Sequence, residues 1–314
     1  MDTLDWLLDS DPAIRWQALR DLTDAARAEI AAERARVARE GLGAAILARQ
    51  DADGAWRRDD APAWLTTLFT LQLLRATGVD PADRAVDAAM ALPEAQLRWN
   101  DLEDGWDVRA TELGGNPFIE GEVEPCINGG VLAFGSYFGR PSGKLARRLV
   151  SEQLADGGWN CEAPKSVRSS FHTTICVLEG LLEFERAVGG SAEIAAARGR
   201  GEEYLLTRLL FRRLSTGAVA CAEFLELAFP PRYHYDILRG LDYFRAAGGE
   251  PDARIRDAVE LIARRCEADG RWALDRAYDE GLAVMTGEVV GEPSRWNTLR
   301  AMRVLQWSGR RRSD

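Results

Sequence analysis

The chain has two histidines, His172 in "SSFHTTICVLEGLL" and His234 in "PRYHYDILRGLDYF", and each stands at the opening of an apolar run. Cys126, in "VEPCINGG", stands at a third such opening, with Glu124 two residues before it. Imidazole, thiol and carboxylate together form the donor set of a tetrahedral zinc site, and three protein ligands with one open position are the catalytic type. The expectation is that Cys126, His172 and His234 hold one zinc ion, with Glu124 or water completing the shell. Such a centre binds a thiolate or polarises water. Asp236, two residues after His234, is the expected catalytic acid or base, or else a further ligand or an acceptor for an imidazole N–H. None of these spacings is a linear zinc pattern such as H-E-x-x-H. Singly, each residue also suits an ordinary core: a hydrogen-bonded histidine, or a cysteine acting as a small hydrophobe. The argument for metal is the coincidence of position in successive repeats.

Those repeats must supply the positioning. A turn ending in tryptophan recurs as "QDADGAW" to Trp56, "LEDGW" to Trp106, "QLADGGW" to Trp159 and "CEADGRW" to Trp272. Helix openings recur from Pro12, Pro62, Pro125, Ser169, Pro231 and Pro293, at gaps of 50, 63, 44, 62 and 62 residues. Proline suits a first helical turn, where its missing N–H is not needed, and Ser169 or Ser170 can accept from the open N–H groups instead. Apolar residues follow at helical spacing, and several runs close at Gly78, Gly139, Gly248 and Gly309. Segments such as "KLARRLVSEQL" and "RIRDAVELIARRC" read as second helices with one wet face. The expected fold is therefore all-α, a closed α/α toroid of about six inner and six outer helices spanning residues 1–309, with 310–314 as a basic tail. An open solenoid is the alternative. Closure is favoured because "IRWQALRDL" near the start resembles "SRWNTLRAM" near the end. Three residues past each anchor the register gives Arg15, Leu65, Asn128, His172, His234 and Trp296. Parallel inner helices would bring those first turns to one end of a cavity.

The Q-x-x-D-G-x-W pattern at 50–56 and 153–159 resembles the QW motif of squalene and other triterpene cyclases, with degenerate copies at 103–106 and 266–272. The same toroid is shared by the β subunits of protein prenyltransferases. The resemblance, from about residue 10 to 309, implies that fold and two activities. Cyclisation by the family route requires a D-x-D-D acid motif. This sequence has none; "DLED" at 101–104 is the nearest approach, and the chain is about half a two-domain triterpene cyclase. The prenyltransferase likeness implies zinc held by Asp-x-Cys and a later histidine. Here Glu124-x-Cys126 and His172 match, with Glu in place of Asp. A partner subunit is part of that family pattern.

The formal charge of −10 and a hydrophobic share of 46% describe a globular protein and argue against nucleic-acid binding, which needs a basic face. No uncharged apolar stretch reaches the roughly 18–20 residues of a membrane span. The acidic start "MDTLDWLLDSD" lacks a leader pattern, and five cysteines without a CxxC pair suggest reduced thiols, so a cytoplasmic location is expected. Trp64, Asn128, Phe171, Tyr233 and Trp296, at or beside the helix starts, are the candidate substrate-binding residues, and Trp16 lies at a similar place. Ordinary core packing is the plainer reading of most of them. Trp56, Trp106, Trp159 and Trp272 read as structural. So does Cys161 in "GGWNCE", although its loop leads to His172 and could reach the same mouth. The segment "GGNPFIEGEVEP", 114–125, reads as a lid or a long connection. The function expected is a zinc-dependent transferase or lyase acting on a hydrophobic or thiol-bearing small molecule. A metal-free terpenoid cyclase-like enzyme and a non-catalytic binding toroid are the alternatives.

Overall fold

The computed structural model describes residues 2–96 and 124–309. The Trp106 turn, "DLED" at 101–104 and most of 114–125 lie outside the described residues, as does the tail 310–314. The elements are α1 (Thr3–Leu8), α2 (Pro12–Leu22), α3 (Arg27–Arg36), α4 (Gly41–Leu47), α5 (Ala63–Ala76), α6 (Arg84–Gln96), α7 (Pro125–Tyr137), α8 (Gly143–Ser151), α9 (Phe171–Val188), α10 (Ala192–Leu206), α11 (Ile237–Ala247), α12 (Arg256–Arg264) and α13 (Arg295–Trp307). Among the described residues, extended pairing is limited to isolated bridges such as Arg58 with Ala61. The expected all-α class is the one found.

The chain divides into two units. One comprises residues 42–204 and 280–284, and the other 1–41, 205–279 and 285–314. In the first unit, α5, α7 and α9 are apolar nearly all round, and α9 buries eleven residues including Ile175, Leu178, Leu181 and Phe184. By contrast α8 buries only Leu145, Ala146 and Leu149, one stripe of a charged helix. Ser142 caps it, its hydroxyl accepting from Leu145 N at 3.2 Å. The α7–α9 pair is the closest packing in this unit, and glycine permits it. A Cβ on Gly180 would lie 2.5 Å from the Gly129 carbonyl oxygen, and one on Gly129 would lie 2.4 Å from that of Cys176. Backbone meets backbone, so nothing larger than hydrogen fits. The α9 helix then stops at Gly189, left-handed at φ 88°.

The tryptophan turns explain the repeat physically. Trp56, Trp159 and Trp272 are all 0% exposed. Each indole N–H donates to a carbonyl in the last turns of the preceding helix: Trp56 to Ile46 O at 2.8 Å, Trp159 to Leu149 O at 2.6 Å and Trp272 to Ile262 O at 2.8 Å. Each backbone N–H donates to a threonine hydroxyl near the start of the next helix: Thr67 at 3.0 Å, Thr174 at 3.1 Å and Thr298 at 3.1 Å. One residue thus covers the carbonyl end of one helix and is held by the start of the next. Where the motif begins with glutamine, that side chain ties the turn to a further helix. Gln50 Nε2 donates to Gly54 O and Ala89 O at 3.0 and 2.7 Å, and Gln153 Nε2 to Gly157 O and Ala197 O at 2.6 and 2.8 Å.

In the second unit α2 packs along α13, which joins the two ends of the chain. Arg303 on α13 donates to Asp242 Oδ1 at 2.8 Å and Gln17 Oε1 at 3.2 Å, and lies 3.5 Å from Asp21 Oδ2. Burial works to raise the Asp242 pKa, but the Arg303, Arg245 and Arg300 guanidiniums outweigh it and hold the carboxyl well below the usual range. Nearby, the guanidinium carbons of Arg271 and Arg295 sit 4.2 and 4.4 Å from the ring centroid of Trp6.

Four of the six openings behave as expected: α2 and α7 begin at Pro12 and Pro125, Pro62 stands at the N-cap of α5, and α13 follows Pro293 after one capping serine. The fourth needs amending, because Ser170 occupies the N-cap of α9 without a capping bond and the Ser169 hydroxyl goes to Asp156 instead. The fifth is corrected outright. The helix does not start at Pro231; it starts at Ile237, where the Asp236 carboxylate accepts from Arg239 N at 2.7 Å. Arg232 takes a left-handed φ of 51°, which a helix cannot include.

Candidate metal centre

The first turn of α7 and the turn that leads to α9 carry the candidate site, within one unit. Glu124 occupies the N-cap position of α7 and Cys126 its second residue. Cys161 lies two residues past Trp159 on the turn that leads to α9. Two adjacent threonines of α9 fix that turn. Thr174 holds Trp159, as above, and the Thr173 hydroxyl lies 3.4 Å from both the backbone N and the Sγ of Cys161. On the other side the Cys126 thiol points at Glu124 Oε2, 3.6 Å away. One donor atom from each of Glu124, Cys126 and Cys161 lies within 4.8 Å of the others, the one such trio among the described residues. Glu124 is exposed and the two thiols are half-buried, so the group faces solvent on its carboxylate side.

The electrostatics of the thiols are asymmetric. The neighbouring Cys161 sulfur, then burial, pushes the Cys126 thiol well above the ordinary range. The neighbouring Cys126 thiol, aided by Thr173, holds the Cys161 thiol below it, although burial opposes this.

The expected ligand set is therefore corrected in part. Glu124 and Cys126 come together as read from the sequence, but the third group beside them is Cys161 and not a histidine. His172 is the second residue of α9, as expected, yet it stands outside the trio. His234 belongs to the other unit, in the turn before α11, where it stacks on Tyr233 and Tyr278 at centroid distances of 4.1 and 3.7 Å. The signal for Cys161 was present in the sequence: it follows a tryptophan turn whose place is set by "HTT".

The candidate substrate-binding residues fall in varied places. Phe171 is 8% exposed and packs edge-on to Tyr204 at 5.5 Å, and Trp296 is 6% exposed and stacks on Phe229 at 4.4 Å. Asn128 is fully buried, Trp64 half-buried and Tyr233 exposed. Asp236, the candidate acid, is 2% exposed. Its Oδ1 caps α11, and its Oδ2 has no hydrogen-bond partner among the described residues. Burial pushes its pKa up, against the pull of Arg300 and Arg239.

No family model and no curated protein matches the chain. Among solved structures it is similar to a protein from Actinoplanes, at 14% identity over 95% of this chain and 89% of that one, with a TM-score of 0.48. It is also similar to the type II terpene cyclase MstE from Scytonema in its apo form, at 17% identity over 94% of this chain and 86% of that one, with a TM-score of 0.45. No described helix is long and apolar enough to cross a membrane.

Proposed function

We propose that this chain is a zinc-dependent enzyme of the transferase or lyase type, with Glu124, Cys126 and Cys161 as the metal's protein ligands. The observation that carries the reading is the approach of these three donors to within 4.8 Å. Two thiolates and one carboxylate suit zinc, and they leave a fourth tetrahedral position for a substrate. Zinc bound there would supply Lewis acidity and would stabilise the anion of a thiol or water held in that position. The chain's own part is to fix the donors. Thr173 orients Cys161, and the glycine-packed α7–α9 pair fixes Cys126 against it. A hydrophobic or thiol-bearing small molecule is the substrate class this centre favours.

The test is metal analysis of protein purified under reducing, zinc-replete conditions. Wild type should carry one zinc per chain, and Cys126→Ala and Cys161→Ala should each lose it. His172→Ala and His234→Ala should keep it. Metal-free wild type refutes the reading, and loss of zinc from the histidine variants alone would restore the histidine-based site. A second reading rests on Asp236, a buried carboxyl with one unpartnered oxygen, as a proton donor or acceptor that needs no metal. Under that reading Asp236→Asn abolishes turnover while zinc content is unaffected, and unimpaired turnover by that variant rules it out.

A further inference from the structure

We propose that Cys126 and Cys161 are a redox pair, converted by a peroxide into an intramolecular disulfide at the mouth of the same centre. This goes beyond the metal reading and does not require a bound ion. The sulfurs already lie within 4.8 Å of each other, and closing to a bond of about 2.05 Å asks for side-chain rotation more than backbone rearrangement. The mountings permit that rotation. Cys161 sits on a turn and is held by two long contacts to Thr173 at 3.4 Å. Cys126 sits in the first turn of α7, whose N-cap makes no side-chain capping bond. Both thiols are half-buried, so a small oxidant reaches them. The chain's other thiols are placed differently: Cys176 is 3% exposed, Cys221 lies 3.9 Å from Glu223 Oε2, and Cys266 lies 3.6 Å from the Glu267 carbonyl.

The steps balance as follows. The Cys161 sulfur attacks one peroxide oxygen; the O–O bond breaks, an S–O bond forms, and one water leaves with the thiol proton. The sulfenic acid so formed is attacked by the Cys126 sulfur. The S–O bond breaks, the S–S bond forms, and the hydroxyl departs as a second water with the Cys126 proton. Two thiols are oxidised by two electrons and one peroxide is reduced to two waters. The product has no thiolate left to donate to a metal, so oxidation and metal binding exclude each other at this site.

The experiment uses the full chain, stripped of metal with a chelator and exposed to hydrogen peroxide at a few equivalents. Free thiols are then alkylated and the protein is digested with trypsin for mass spectrometry. The expected result is one linked peptide pair joining Cys126 to Cys161, reversed by dithiothreitol, with two of the five thiols lost. Cys176→Ser should form the same link, and Cys126→Ser should stop at a dimedone-trappable sulfenic acid on Cys161. Absence of the 126–161 link in folded wild type, or a link made through Cys176 instead, overturns the proposal. A link in protein that never binds zinc sinks the metal reading and leaves this one standing. Zinc bound without any link does the reverse.

Discussion

Thr174 is the residue whose loss tests the repeat most directly. It is fully buried, and its hydroxyl accepts the backbone N–H of Trp159 at 3.1 Å. Valine at this position has nearly the same shape, so Thr174→Val leaves packing almost unchanged and removes the hydroxyl, which accepts from the Trp159 N–H and also donates to the Trp159 carbonyl at 3.5 Å. The Trp159 N–H is then buried without a partner, which costs about 1–3 kcal/mol. For a chain somewhat longer than the 150–250 residues where 1 kcal/mol shifts Tm by about 2–4 °C, the fall should be roughly 2–10 °C. Thr174→Ser keeps the oxygen and loses a methyl, so its cost should be the smaller of the two, near 1 kcal/mol. The assay is urea unfolding followed by tryptophan fluorescence, with the midpoint lowered and the slope unchanged. The same ordering, valine worse than serine, should hold at Thr67 and Thr298, whose hydroxyls take the Trp56 and Trp272 N–H groups at 3.0 and 3.1 Å. If valine is tolerated at all three positions, or serine is as harmful as valine, the hydroxyl does not hold the turn and this account of the motif fails.

Two further outcomes follow from packing and charge. Gly180→Ala puts a Cβ 2.5 Å from the Gly129 carbonyl oxygen, forces α7 and α9 apart, and should cost about 1–3 kcal/mol, whereas Gly199→Ala, on α10 with nothing within 4 Å, should gain about 0.5–1 kcal/mol; chemical denaturation of both variants checks the contrast. Asp242→Asn removes the carboxylate shared by the Arg303, Arg245 and Arg300 guanidiniums and should cost about 3–5 kcal/mol at neutral pH. Because the folded pKa of Asp242 is depressed, its contribution is full above the unfolded value of about 3.9 and is lost as pH falls below it, so the gap between variant and wild type should narrow in acid. A gap that stays constant from neutral pH down to the acid limit of folding would contradict the charge argument.

The fold was legible because its signals are local. Proline or a small polar residue at a helix start, charge on one face of a second helix and glycine at a stop each act within a few residues. The tryptophan turns were legible as structural for the same reason: Trp56, Trp159 and Trp272 reach only ten residues back for their carbonyl. What misled was the fifth opening. Pro231 looks like the other anchors, but Arg232 at positive φ spends the next residues in a turn, and the helix waits for the Asp236 cap. Counting from the proline therefore gave His234 a helical position it does not have.

The candidate site was half legible, and the missing half follows from the turn itself. Since Thr174 holds the N–H of Trp159, the residue before it on α9 lies beside the chain just past the tryptophan. Thr173 accordingly meets Cys161, two residues on. The same arithmetic in the other copies points to Arg58 after Trp56 and Leu274 after Trp272, and neither is a thiol. The repeat therefore builds one frame three times among the described residues, and only the middle copy places sulfur in it. Cys126 completes the pair because the Gly129–Gly180 contact lets α7 lie directly against the helix that carries Thr173. The sulfur pair comes from cysteines at two positions of a structural frame, which is why a register drawn through the histidines passed beside it.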